Sequence, residues 1–411
     1  MYLSKIEEKM LKGEYGEGLK FCMEYLVKYG ETVDADCFVP IKYSHISGVS
    51  PNTIGKAGLK FRKYLSDLDL KVLTDTSLNP RSMSLDEKQI EILHIYKKLG
   101  VDLTLTCSPE KIWKYKGQII ACAESSLSCF GNSVVGVKTN RESGAFALIE
   151  AITERVPHYG YHLEENRMPD ITVKVLPKLS DISEWSALGF YVGEKFKKKI
   201  VPYFYLKSYN LTGLQNLAAG LATKAPINMF HVNGLSKEKP PKEKIVVDEK
   251  DIKSIYEELS DDIEKIDFVF IGCPHLTQAY SLRQKSQSPT FQVFDRGSYS
   301  CPVVSEIKEE CIATNSAKAA YYLKNILGKK VLFTTTKECL RLLFKPLKKR
   351  KIAKKFPEET ISIKSKPYVC LKHGLEYIED AKAKTESTAF ADVAFCGKDF
   401  ILKLPDPSFI K

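Results

Sequence analysis

The side chains able to do chemistry in this 411-residue chain are its eleven cysteines and four polar loop clusters. Eleven is an odd number, and the start MYLSKIEEKMLKGEYGEGLK lacks the basic and apolar regions of a secretory signal. A disulfide framework is therefore not expected, and metal or redox use gains weight. No CxxC pair or Cys/His zinc spacing is present to name ligands. Cys107 closes the run VDLTLT and precedes Ser108-Pro109, and Cys273 closes DFVFIG and precedes Pro274-His275. Both sulfurs are expected at strand exits near helix N-termini, which favour thiolate. Cys301 lies in the loop-like DRGSYSCPVV, again before a proline. Cys22, Cys122, Cys311 and Cys339 fall inside patterned elements, where packing is the default.

The first polar cluster, His45-Ile46-Ser47-Gly48-Val49-Ser50, follows a predicted strand and enters the helical stretch NTIGKAGLKFRKYL. Glycine and serine at a helix start suit an anion, through free backbone N–H groups and hydroxyls. They equally suit a serine N-cap with a turn glycine. Ser77-Leu78-Asn79-Pro80, taken alone, reads as a turn. Residues 124–144, ESSLSCFGNSVVGVKTNRESG, gather many polar side chains and three glycines ahead of an apolar helix. That composition matches a carboxylate or phosphate ligand. Thr314-Asn315-Ser316-Ala317-Lys318 enters AAYYLKNIL, where Lys318 is either an anion partner or a surface lysine. His162 and His275 have no partner spaced as in a Ser/His/Asp triad or HExxH. Walker A and GxGxxG patterns are also absent, so nucleotide dependence is not expected.

These clusters need a scaffold. The first ~35 residues read as helical; beyond them, short β-rich runs alternate with amphipathic stretches of helical length. Strands are predicted at 36–41, 70–74, 101–107, 118–123, 171–176, 201–206, 227–232, 268–272 and 330–335. Helices are predicted at 86–99, 145–155, 211–224, 249–263 and 317–326. The alternation predicts α/β units with largely parallel sheets, whose ligands bind beyond the carboxyl ends of the strands. The charged SKEKPPKEK stretch at 236–244 and the Lys-rich region from 345 mark boundaries. They divide the chain into α/β regions 1–235 and 236–343 and a C-terminal extension 344–411.

Composition is that of a globular protein: 44% hydrophobic, 27% charged, mean hydropathy -0.21. No stretch approaches the ~20 apolar residues of a membrane helix, so a soluble, cytoplasmic protein without a membrane partner is expected. Much of the net charge of +11 sits in KPLKKRKIAKK, seven basic residues within 345–355. No recognition-helix or RNP pattern accompanies them, and a nucleic-acid partner is not expected.

HISGVS, SLNP, TCSP, AESS with GNSVVGVKTNRESG, YGYHLEENR, IGCPH, SCPVV and TNSAKAAYY, in that order, resemble the aconitase X family over residues 1–343. The resemblance implies an aconitase-like fold, with several α/β domains around a central iron–sulfur cleft and no swivelling small domain. It implies an iron–sulfur hydro-lyase, with a [4Fe-4S] cluster carried by Cys107, Cys273 and Cys301. Archaeal members dehydrate (R)-5-phosphomevalonate to trans-anhydromevalonate 5-phosphate in a modified mevalonate route to isoprenoids. Carried onto this sequence, the substrate contacts fall on Gly48, Val49, Ser50, Asn79, Pro80, Glu142 and Ser143, to which the fourth cluster adds Lys318 as a candidate. Cys129 stands where relatives have another residue and is not expected as a ligand. Ser143-Gly144 stands where many relatives have Gly-Gly.

The family's swivelling domain is a separate small subunit or a fused segment, and its glycine- and serine-rich signature is absent here. The resemblance thus implies a heterodimer whose general base comes from the small subunit. Two alternatives stand beside this reading. One is a cis-3-hydroxy-L-proline dehydratase of the same family; the other is a non-catalytic protein binding anions or nucleic acid through its basic tail.

Overall fold

The computed structural model describes residues 1–82, 86–270, 272, 307 and 309–344, and, as strands alone, 362–363, 368–371 and 374–377. The chain packs as two compact units, Met1–Pro169 and Asp170–Lys411.

The first unit opens with helices α1 (Lys5–Leu11), closed by a Ser4/Glu7 capping box, and α2 (Glu17–Thr32). Strands β1 (Phe38–Pro40) and β2 (Tyr43–Ile46) follow, then helix α3 (Pro51–Asp67), β3 (Asp75–Leu78) and α4 (Glu87–Lys98). β4 (Ala121–Cys122), α5 (Ser125–Phe130), α6 (Gly144–Thr153) and β5 (Arg155–Pro157) complete it. Its sheet has the order β3-β2-β4, all parallel, with His45 opposite both Ser77 and Cys122. β1 and β5 form a separate antiparallel pair. Met23 and Leu26 of α2, Ile46, Leu78, Leu148 and Ile152 share one apolar core beneath the helices.

Two strands differ from expectation. The run 70–74 is not a strand, because the Val72 and Leu73 N–H groups donate to Leu99 and Ala151 carbonyls at the ends of α4 and α6. Pairing begins only at Asp75, so the strand runs directly into SLNP. Residues 101–107 lie beside β3 through one bridge, Ser77 to Asp102, and no regular ladder. Leu105 there has φ 50°, a left-handed conformation costly for a branched residue. The Thr104 hydroxyl replaces part of the lost ladder by bonding both the N–H and the C=O of Leu78.

The second unit contains β6 (Ile171–Val175), α7 (Ile182–Phe196), β7 (Pro202–Tyr205), α8 (Leu211–Lys224), β8 (His231–Val232), β9 (Lys244–Val247) and α9 (Glu249–Leu259). Its four-stranded sheet has the order β8-β7-β6-β9 and is wholly parallel. The stretch 236–244 leads into β9 within this unit. A Cβ on Gly189 would lie 2.3 Å from the Leu217 carbonyl, and one on Gly220 2.3 Å from that of Ser186, so α7 and α8 touch backbone to backbone. After β10 (Lys265–Ile266) comes a second parallel sheet of β11 (Phe268–Phe270), β12 (Cys311–Thr314) and β13 (Lys330–Phe333), with helices Ala317–Asn325 and Thr336–Phe344. In the extension, Ser362–Ile363 pairs with β10, and Tyr368–Leu371 pairs with Gly374–Tyr377. The remainder of 345–411, including the Lys-rich run, lies outside the described residues.

The α/β class with largely parallel sheets is as expected. Among the described residues, no helix is long and apolar enough to cross a membrane.

Candidate active site at the carboxyl edge of the first sheet

Because β2, β3 and β4 are parallel, HISGVS, SLNP and AESS all leave the same edge of one sheet. On the central strand, His45 is fully buried. Its Nδ1 is 2.7 Å from Ser77 Oγ and its Nε2 2.7 Å from Asn79 Oδ1, while the Tyr43 hydroxyl is 2.6 Å from the same Ser77 oxygen. Burial pushes the imidazole down to about 4, so it is neutral at physiological pH. Asn79 and Pro80 are half-buried at the strand exit.

Gly48 takes φ 79°, and its carbonyl accepts from the Tyr96 hydroxyl at 3.1 Å. Arg62 of α3, buried, donates Nε to Tyr96 Oη at 2.6 Å and reaches the Gly58 and Ser47 carbonyls. Among the described residues no carboxylate pairs with it. The Val49 carbonyl accepts from Gln89 Nε2 at 3.0 Å, and Val49 is buried. Ser50 is fully buried and caps α3 in a reciprocal box with Thr53. The first turn of α3 ends at Gly55, whose φ of 64° breaks the helix, so the dipole behind Ser50 is that of one turn only. The groups of this loop left half-exposed are Ser47 and Gly48.

Glu142 and Ser143 precede α6. Ser143 is exposed and caps the helix, accepting from Phe146 N–H at 3.2 Å. Gly144 is required by close approach, since a Cβ there would lie 2.2 Å from the Ser47 carbonyl and 3.1 Å from the Arg62 guanidinium. Glu142 is buried and accepts from Tyr29 Oη at 2.5 Å and Tyr159 Oη at 3.2 Å, the two phenols being 2.6 Å apart. Burial pushes this carboxyl up, against the pull of both hydroxyls. Behind it, Glu150 is fully buried, and among the described residues neither carboxylate oxygen has a hydrogen-bond partner. Burial, and then the nearby Glu142 charge, raise it well above the ordinary range and favour its protonated form.

The YGYHLEENR stretch serves this corner. Asn140 accepts from Tyr161 N–H at 2.8 Å and donates to the Tyr159 carbonyl at 3.0 Å, which holds the loop carrying Tyr159 against Glu142. His162 donates Nδ1–H to the Pro157 carbonyl at 2.9 Å, and burial pushes it down to about 3. It is a brace.

Cys107 is half-buried, two residues after the strained Leu105. A short 3₁₀ helix, Glu110–Tyr115, follows, so the α-helix N-terminus expected beside its sulfur is not present. Lys111 ties that helix to Asp75 and Asp102, each at 2.7 Å, and Tyr115 donates to Asp75 at 2.9 Å. By contrast Cys22, Cys122, Cys129 and Cys339 are buried, and burial pushes their thiols up, to about 12 for Cys22 and Cys122. In the second unit, Gly272 N–H donates to Asn315 Oδ1 at 2.9 Å, and Asn315 Nδ2 donates to Thr336 at 2.9 Å. Asn315 of TNSAK thereby pins the backbone one residue before Cys273. Lys318 is half-buried on the following helix. Cys273 and Cys301 lie outside the described residues, and among those described no three His, Cys, Asp or Glu side chains converge as metal ligands.

Seven of the eight expected substrate contacts thus lie in the first unit, and Lys318 lies in the second. Sequence reading missed Tyr29, Arg62, Tyr159 and Glu150. Tyr159 lies within the motif YGYHLEENR without being singled out there, and Glu150 carried a local signal as the lone acid inside the apolar run AFALIEAI.

Residues 1–165 match the aconitase X first domain and residues 169–257 the aconitase X second domain. The phosphomevalonate dehydratase large subunit of Methanocaldococcus jannaschii is 36% identical, over 83% of this chain and 100% of that protein. That of Thermococcus kodakarensis is 36% identical, over 79% and 95%. The crystal structure of Thermococcus kodakaraensis aconitase X in its holo-form superposes with a TM-score of 0.68 at 33% identity, covering 81% of this chain and 97% of that one. A cis-3-hydroxy-L-proline dehydratase of Pseudomonas aeruginosa is more distant, 27% identical over 67% of this chain and 52% of that protein. In sequence and in fold, the chain belongs to the aconitase X family.

Proposed function

We propose that this chain is the large subunit of a hydro-lyase that converts (R)-5-phosphomevalonate to trans-anhydromevalonate 5-phosphate, a step of a modified mevalonate route to isoprenoids. The observation that carries the reading is coverage: the chain spans 95–100% of two large subunits with that activity in their names, but about half of the hydroxyproline dehydratase. A chain that spans nearly the full length of two large subunits takes a small subunit as its partner.

Cys107, Cys273 and Cys301 would hold an iron–sulfur cluster. Cys107 fits that role, because its half-buried thiol, in the irregular segment after Leu105 beside β3, is set apart from the buried Cys22, Cys122, Cys129 and Cys339. When bound, the cluster supplies Lewis-acid polarisation of the departing hydroxyl and the carboxylate. The chain's own residues bind and orient. Asn79 offers a neutral amide to a substrate oxygen. Glu142, held by Tyr29 and Tyr159, engages a hydroxyl or hydrogen-bonds an anionic end through a shared proton, as its raised carboxyl allows. Ser47 and Gly48 offer backbone at the same edge. The proton beside the substrate carboxylate is removed by a base on the small subunit.

The test is a dehydration assay read by mass spectrometry. The chain, co-expressed with its small subunit and reconstituted anaerobically with iron and sulfide, is offered (R)-5-phosphomevalonate and cis-3-hydroxy-L-proline in parallel. Loss of one water from the phosphorylated substrate alone is expected. Loss from hydroxyproline alone moves the enzyme to amino-acid chemistry, and an absence of bound iron brings the binding-protein reading forward.

A further inference from the structure

With Asn79 Oδ1, not Nδ2, facing the ring and the imidazole neutral, the hydrogen bonds beneath the sheet edge take one arrangement of protons. Asn79 Oδ1 can only accept, so the His45 nitrogen 2.7 Å away, Nε2, carries a hydrogen. A neutral ring then has an unprotonated Nδ1, which accepts from the Ser77 hydroxyl at 2.7 Å. Ser77, having spent its only proton, accepts in turn from Tyr43 at 2.6 Å. The relay therefore runs Tyr43 to Ser77 to His45 to Asn79, every donor pointing the same way. All of Tyr43, Ser77 and His45 are fully buried. Asn79 alone is half-buried, and among the described residues no acceptor takes its Nδ2 hydrogens. Its backbone is also held, N–H to the Ile46 carbonyl at 2.9 Å.

We propose that His45 is a positioning residue: by holding Asn79 Oδ1 it turns the carboxamide so that the NH₂ group is presented to an oxygen of the bound hydroxy acid. An unconstrained amide presents either end with similar ease, and its carbonyl end would repel an anionic or lone-pair oxygen. Burial favours the neutral imidazole and so keeps the relay polarised in one direction. This inference rests on the reading that Asn79 contacts substrate, and it adds a residue that touches none.

The experiment compares four variants of the reconstituted two-subunit enzyme in kcat and KM. Asn79→Ala is expected to lower kcat/KM by about 10-fold or more, the scale of one lost hydrogen bond to a charged group. His45→Phe keeps the ring volume and removes both bonds; it is expected to give a comparable loss, and the double variant no more than either single change. His45→Gln, whose amide can donate to Asn79 and accept from Ser77, is expected to restore most of the activity. A rescue of this kind is not expected if the ring acts only by filling space. Full activity in His45→Phe with an impaired Asn79→Ala overturns the inference and leaves the reading of Asn79 standing. A silent Asn79→Ala overturns both, and losses that add fully in the double variant overturn the coupling. If His45→Phe does not fold, Ser77→Ala carries the test: it leaves Asn79 intact but frees the tautomer, and unchanged kinetics count against the relay. Nitrogen-15 NMR of the histidine ring reads the tautomer without substrate. A protonated Nδ1 overturns the proposal even if the enzyme acts on another hydroxy acid.

Discussion

The sheet β3-β2-β4 of the first unit and the sheet β8-β7-β6-β9 of the second are both parallel, and both send strands into helices capped by side chains. Ser50, Asp86, Glu124 and Ser143 cap helices in one; Asp181, Asn210 and Asp248 do so in the other. In the second unit those caps are consumed internally. Asp181 accepts from Ser183 and from both the backbone and the hydroxyl of Thr336, and α7 and α8 close on each other through glycines. The first sheet edge instead gathers a neutral buried histidine, two buried carboxyls with raised titration and a buried guanidinium without a carboxylate among the described residues. A capped helix at a strand exit is therefore common to scaffold and site. What separates them is buried titratable chemistry left uncompensated.

The largest effect that tests this contrast is expected at cysteine. Cys107→Ser is expected to lower iron content after anaerobic reconstitution and abolish turnover, whereas Cys122→Ser and Cys339→Ser leave both largely intact. Equal damage from all three would erase the distinction between edge and core. Next comes Glu142→Gln, expected to lower kcat/KM by roughly 10–100-fold, the worth of a hydrogen bond to a charged group. Asp181→Ala, at its counterpart in the second unit, is expected to cost about 1 kcal/mol in urea unfolding, as for a lost cap, without a kinetic change.

Paired glycines sharpen the comparison further. Gly220→Ala forces a Cβ against the Ser186 carbonyl and is expected to cost about 1–3 kcal/mol of stability with KM unchanged. Gly144→Ala meets the Ser47 carbonyl and Arg62 instead, so thermal unfolding and KM are both expected to move.

The smallest effect is a pH slope. The folded-state carboxyl of Glu150 is raised above its ordinary 4.5, so unfolding releases a proton between the unfolded and folded values. The stability it contributes is complete below 4.5 and is lost as pH rises through the folded value. Glu150→Gln is expected to flatten that part of the profile in urea titrations run upward from pH 4.5. His45 has the opposite sign. Its folded value of about 4 lies below the ordinary 6.5, so its contribution is present above 6.5 and lost as pH falls toward 4.

Much of the scaffold is legible in local pattern. Helices 87–98, 211–224 and 317–325 lie within one or two residues of the periodicity, because amphipathic spacing and capping residues are local properties. Strands that deviate do so for non-local reasons: Val72 and Leu73 bond to two helix ends distant in sequence, and the Thr104 hydroxyl takes the place of part of a backbone ladder. The polar clusters HISGVS, SLNP and TNRES are visible as concentrations of turn and cap residues that apolar packing does not require. Their partners are not visible, since Tyr29 comes from α2, 113 residues before Glu142, and Tyr96 reaches Arg62 across 34 positions.

Side-chain type and order alone already carry the α/β class, the parallel sheets, the ordered motifs of the aconitase X family and the separation of Cys107 from cysteines inside patterned elements. Tertiary structure alone decides which of the polar residues keep their chemistry. It spends the Ser50 hydroxyl on a cap and His162 on a brace, and holds Glu150 as an acid without a hydrogen-bond partner among the described residues. It also lines up Tyr43, Ser77, His45 and Asn79 through the register of two strands. The reason is physical: propensity and periodicity are properties of neighbours in sequence, whereas desolvation and hydrogen-bond direction depend on what the fold brings within about 3 Å.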